Sequence, residues 1–171
     1  WTGHAPLLEE ELALANIALD LIGQARALYS EAGALTGHTE DELAYLRDAP
    51  QWHNALIMEL PNGDFAFTIA RLFLVAAFAV PFWGAAAASS HPGIAGIAAK
   101  AVKETEYHRR HAGDWLVRLG DGTTESHRRA QDAVDARSRL TSLLHVPSLA
   151  FMAPPLFCRS DVSRDRGSEG P

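Results

Sequence analysis

A single cysteine, Cys158, in 171 residues excludes a disulfide framework and a cysteine-built zinc site. It fits a reducing compartment, so a cytoplasmic location is expected. Basic residues are also scarce: 15 Lys and Arg stand against 21 Asp and Glu, a formal net charge of −6. That balance gives no electrostatic case for nucleic acid or an anionic membrane as partner. No segment alternates apolar and polar residues long enough to make a strand. The patterns G-x-S-x-G, Walker A and G-x-G-x-x-G are all absent. No Met and no signal peptide open the chain; Trp1-Thr2-Gly3-His4 reads as the interior of a longer one. The one long uncharged run, Leu72–Ala88, falls short of the roughly 20 residues a membrane span needs, and Pro81 and Gly84 interrupt it. A central bundle helix is the better reading.

What the chain does have is apolar residues, 47% of the total, at helical spacing. Glu9-Glu10-Glu11 place negative charge in the first turns of a helix running through Leu12–Glu31, where the helix dipole favours it. Leu12, Ala15, Leu19, Ile22 and Arg26 mark one side of that helix; Ala13, Asn16, Ile17, Asp20, Gln24 and Leu28 mark another. Apolar residues cover most of its circumference, so it is expected to be largely buried, with Gly33 as its C-terminal glycine. Thr39-Glu40-Asp41-Glu42 is a capping box opening a short helix over Glu40–Arg47. Gln51–Leu60 is ambiguous. Pro61-Asn62-Gly63-Asp64 signals a turn with Asp64 as N-cap of a second long helix, Phe65–Ala88, which Pro81 should kink. The third long helix is Ile94–Leu119, and a fourth begins near Glu125. Long helices and mostly short loops give an all-α, up-and-down bundle of four main helices.

The third helix carries the chemistry. Ile97, Ala101, Glu104, His108, Ala112, Trp115 and Leu119 share one stripe, so a carboxylate and an imidazole face the core, with His111 at the edge. Buried polar groups need partners or a metal. A bundle di-iron site takes a Glu from each of two helices and a Glu-x-x-His pair from each of the other two. Here Asp20 is the candidate on the first helix, and Glu104 with His108 on the third, at i, i+4 spacing. The second helix offers neither acid nor histidine between Arg71 and His91. Asp132 and Asp135 on the fourth lack a following histidine. The ligand count fails, so no metal is expected here. Asp20, Glu104 and His108 remain as a degenerate set: Asp20 paired with Lys100, Lys103 or Arg71, and Glu104 and His108 bonded to each other or to a neighbouring helix. Arg109-Arg110-His111 reads as a solvated face. His4, His38, His53 and His91 also read as solvated. Phe67 and Trp83 are the core aromatics expected to reach a partner surface.

After Val134 the composition changes, ending in RSDVSRDRGSEGP. Residues 1–145 therefore form the helical domain, taken as partial at both ends, and 146–171 an irregular or disordered tail. The tail's composition also matches what an altered reading frame in a GC-rich gene would encode.

Several runs together resemble a known family: Trp1-Thr2-Gly3-His4-Ala5-Pro6, LEEELALANIALDLIGQAR (Leu8–Arg26), LPNGDFAFTIAR (Leu60–Arg71) and AKAVKETEYHRRHAGDWLVRLGDGT (Ala99–Thr123). Over roughly Trp1–Val134 the chain is similar to the structural C subunits of bacterial phenylacetyl-CoA epoxidases, the ring-opening oxygenases of aerobic phenylacetate degradation. The resemblance implies a ferritin-like fold and pairing with a related catalytic A subunit, with a possible higher-order hetero-oligomer. In that family the A subunit holds the di-iron centre and the CoA thioester, and a reductase supplies electrons from NADPH. The expected function is thus a non-catalytic subunit, with no catalytic residue and no cofactor of its own. The alternative is an autonomous ferritin-like di-metal oxidase or iron-binding protein using Asp20, Glu104 and His108. Some relatives keep an acid and a histidine in the second helix where this chain has Ala76 and Ala79.

Overall fold

The computed structural model describes residues 1–141, with side chains through residue 136. The expected tail, 146–171, lies outside the described residues. Helices α1 (Leu8–Thr36), α2 (Glu40–Tyr45), α3 (Leu56–Glu59), α4 (Phe65–Ala86), α5 (Pro92–Gly120) and α6 (Thr124–Thr141) follow in order, with one 3₁₀ turn at Ala49–Gln51. No strand occurs among the described residues.

Local signals set most of the boundaries. Thr39 and Glu42 form the reciprocal capping box at α2. The Asp64 carboxylate accepts from the Phe67 amide and caps α4. Gly33 does not end α1. The helix runs three residues further, and Gly37, at φ 79°, takes the left-handed position that glycine adopts without strain. Gly33 is needed for closeness: a Cβ there would collide with the His38 carbonyl as the chain folds back. His91 is not merely solvated, since its Nδ1 accepts from the Ile94 amide at the start of α5. Helix α4 continues through Pro81 without interruption, and α6 carries on past Val134 to Thr141.

Direction follows from which ends meet. The indole N–H of Trp1 donates to Thr68 Oγ1 (2.9 Å), and Trp1 meets Phe65 edge-on, so α1 and α4 begin side by side. At the far end, Leu28 packs beside Trp83 and Ala98. Thus α1 and α4 run parallel, and the connection 37–64 carries the chain back along the bundle. This is the single long crossover of ferritin-like folds rather than a short loop. α5 runs antiparallel to both. α6 returns along α4 and α5, with Ala133 buried against Ala66 and Ala70.

Small residues let α4 and α5 approach: Ala98, Ala101 and Ala112 on α5, and Ala66, Ala70 and Ala76 on α4, are all buried. Trp83 is buried in this seam against Ala98 and Ala101 rather than reaching outward, and Phe67 is half-buried against the Ala66–Ala70–Ala133 cluster. α4 is long and apolar enough to cross a membrane by length and composition, with a mean hydropathy of 2.0 in its most apolar window. In this structure it packs against α5 and α6.

The largest departure concerns α1. Only Glu10, Ile17 and Gly33 are buried on it. Leu12, Leu19 and Ile22 remain 59, 65 and 55% exposed. Its apolar circumference is real, but among the described residues α5 and α2 are the helices whose backbones come close to it.

Candidate functional site: the polar seam between α1 and α5

Antiparallel packing of α1 on α5 brings acids of one helix opposite acceptor and donor groups of the other in register. Asp20 and Gln24, one turn apart on α1, face Glu104 and His108, one turn apart on α5. His108 Nε2 lies 3.0 Å from Asp20 Oδ2, and the ring is almost fully buried, 1% exposed. The Gln24 side-chain amide donates to Glu104 Oε2 at 3.0 Å, while Lys100 Nζ stands 3.2 Å from Glu104 Oε1. Each polar group of this quartet therefore has a partner, and the pairs cross the interface.

Asp20 thus pairs with none of the three cations expected for it. Lys100 is one turn before Glu104 on α5 and holds that residue instead. Arg71 is drawn to the other end of the crossover, donating to the Leu60 carbonyl (3.0 Å) and Asn62 Oδ1 (2.6 Å). Glu104 and His108 bond to α1, not to each other.

A second polar node lies three turns toward the α1 N-terminus. Glu10 is 3% exposed. Its Oε2 accepts from the Trp115 indole N–H at 2.5 Å, and its Oε1 lies 3.0 Å from His111 Nε2. In the Glu9-Glu10-Glu11 run, whose charge suits the helix dipole, the middle acid is a buried acceptor. An i, i+7, i+14 relation puts Glu10 on the same face as Ile17 and Gln24, so the helical phase is the signal that could have found it. His111 leaves the solvated basic face, while Arg109 on that face is held by Glu106 through two hydrogen bonds. Phe65 closes the node by meeting Trp115 edge-on.

At the far end of α1 the Glu31 carboxylate reaches the first turn of α5. A Cβ on Gly93 would collide with it, and His91 Nδ1 lies 4.0 Å from it. The positive end of the α5 dipole suits that carboxylate. Acid–base contacts therefore run the length of the α1–α5 seam.

This donor set does not fit a di-iron centre. Among the described residues no three His, Cys, Asp or Glu side chains converge. The α4 segment beside the quartet supplies Val75, Ala76 and Ala79. Asp132 and Asp135, on α6, are engaged elsewhere, Asp132 with Arg128 and Asp135 with Gln131.

Residues 1–148 match the family model described as phenylacetic acid catabolic protein. The chain is 48% identical over 145 residues to the C subunit of the 1,2-phenylacetyl-CoA epoxidase of Escherichia coli strain K12. That match covers 84% of this chain and 58% of the relative, so the chain spans under two thirds of the relative's length. With a ferritin-like all-helical bundle and a family match across the whole described region, the chain belongs to the phenylacetic acid catabolic protein family.

Proposed function

We propose that the chain is a non-catalytic structural subunit of a multicomponent phenylacetyl-CoA epoxidase in phenylacetate degradation. It acts in the cytoplasm by binding and supporting a related, di-iron-bearing catalytic subunit. One observation carries the reading: the acids and imidazoles that face the bundle interior are spent on one another across α1–α5. Asp20 takes His108, Gln24 takes Glu104, and Glu10 takes His111 and Trp115. A catalytic centre keeps such groups convergent and open to metal or substrate; this seam uses them as helix-to-helix fasteners.

A supporting role needs a docking face, and α1 has one. Leu8, Leu12, Leu19 and Ile22 form an exposed stripe on the side of α1 turned away from α5. An exposed apolar run of this kind on a helix marks an interaction surface. A stable pair should bury on the order of 1,600 Å² in total.

Co-expression with a related catalytic subunit tests this. The two chains are expected to copurify through gel filtration, and the Leu12→Asp/Leu19→Asp variant to separate from its partner while keeping its own helicity. Independent elution of the unsubstituted chains at micromolar concentration contradicts the reading.

A further inference from the structure

Of the three asparagines, Asn16, Asn54 and Asn62, only Asn62 precedes a glycine. Asn-Gly suits a turn because glycine accepts a left-handed backbone, and Gly63 takes it here at φ 63°. The same pair carries a chemical liability. Attack by the following backbone nitrogen on an asparagine's side-chain amide carbon closes a five-membered ring, and a glycine nitrogen has no neighbouring side chain to shield it. Asn62 and Gly63 are both exposed, so water and base reach them.

Two residues of α4 grip this turn. Arg71 donates through Nη1 to the Leu60 carbonyl and through Nη2 to Asn62 Oδ1, at 3.0 and 2.6 Å. The Thr68 hydroxyl, which accepts from the Trp1 indole N–H, lies 3.4 Å from the Asn62 carbonyl oxygen as its donor. The main-chain and side-chain oxygens of Asn62 are therefore both held from α4. The turn also has little slack, since a Cβ at Gly63 would collide with the Phe67 ring. A bond from a guanidinium is charge-assisted and belongs to the stronger class. Ring closure requires the amide carbon to swing onto the Gly63 nitrogen, and an oxygen tethered to a residue nine positions on resists that swing.

We infer that Asn62 is a site of intramolecular deamidation and that Arg71 is the positioning residue that keeps it latent. In the reaction the Gly63 nitrogen gives up its proton and bonds to the Asn62 amide carbon. The bond from that carbon to Nδ2 breaks, and Nδ2 leaves as ammonia with the proton. Water then opens the cyclic imide at either carbonyl, leaving aspartate or isoaspartate at this position. The two products act differently on the clasp. Aspartate presents Arg71 with a charged acceptor in place of a neutral one. Isoaspartate routes the main chain through the former side chain and lengthens it by one carbon, where the crossover enters α4. That product displaces the oxygens that Arg71 and Thr68 hold, and with them the Trp1 contact that sets α1 beside α4.

Peptide mass spectrometry of the full 171-residue chain, aged in mildly alkaline buffer and in parallel in concentrated urea, tests this. Amide-to-acid conversion at Asn62 is expected to run about tenfold slower in buffer than in urea, the rate equivalent of about 1.4 kcal/mol of hydrogen bond. Arg71→Lys, which cannot hold both oxygens, should remove most of that protection in buffer and leave the rate in urea unchanged. Circular dichroism checks that the variant keeps its helices. Should it lose them, Asn54 of the parent chain decides, being exposed in the same crossover. Its rates in buffer and urea should differ far less than those of Asn62. The inference is overturned if Asn62 converts as fast in buffer as in urea, or if a folded Arg71→Lys chain converts no faster than the parent. A slower Arg71→Lys chain would show that the guanidinium activates the amide carbonyl and does not restrain it. Equal protection of Asn54 and Asn62 would assign the effect to folding in general and overturn the inference as well.

Discussion

The buried ring of His108 on α5 and the partly exposed carboxylate of Asp20 on α1 meet at 3.0 Å, a direct contact between the two helices at the middle of the seam. Among the described residues, Asp20 is the hydrogen-bond partner of the imidazole. Asp20→Ala would leave a buried ring nitrogen unpaired, at a cost of about 1–3 kcal/mol. Urea unfolding of the variant should show a lower midpoint with an unchanged slope. A midpoint equal to that of the parent would mean the pair contributes nothing.

Glu10 serves two donors at once, so its loss should cost more than that of Asp20. Glu10→Ala strands the Trp115 N–H and His111, and hydrogen bonds to charged groups are worth about 1.5–3 kcal/mol each. A loss of about 3 kcal/mol or more is expected in the same unfolding experiment. Glu10→Gln, which keeps an acceptor for one donor, should recover part of it.

Gly93 and Glu31 form a coupled pair. Gly93→Ala must push the carboxylate off the first turn of α5, losing about 0.3–1 kcal/mol of dipole interaction. Because Glu31→Ala removes the same interaction, the double variant should be less destabilised than the sum of the singles. Strict additivity in that cycle would show that the glycine is needed for another reason.

The first turn of α6 carries a pH prediction. Hydrogen bonds from Arg128 and Arg129 hold the Glu125 carboxyl down to about 2. Its folded pKa lies below its unfolded one, so its contribution is present above the ordinary carboxylate range, near 4.5, and is lost as pH falls toward 2. The group is exposed, so salt should weaken the effect. NMR titration of Glu125 should give a midpoint well below the ordinary carboxylate value near 4.5. A midpoint at that ordinary value would contradict the pairing.

How far the sequence reaches depends on whether a signal is local. The capping box at Thr39–Glu42 and the Asp64 cap can be read because both partners lie within three residues. The phase of α5 is legible too, since periodicity alone turns Glu104 and His108 inward. What periodicity does not supply is the identity of the partner across the seam. Arg71, Lys100 and Lys103 are all reasonable neighbours for Asp20 until the antiparallel register chooses His108 for it and leaves Lys100 to Glu104. The phase of Glu10 is hidden by two flanking acids that look identical in a local reading. The exposure of α1 escapes for the opposite reason. Its apolar residues cover most of its circumference, while among the described residues α5 and α2 lie against only part of it.

If the inward acids and imidazoles fasten α1 to α5, they are not free to hold iron. Iron content of the purified chain, after anaerobic reconstitution with Fe(II) and desalting, decides between the two uses of the seam. The expected result is well under one iron per chain, unchanged by Glu104→Ala or His108→Ala. Near two irons per chain, lost in either variant, would contradict it.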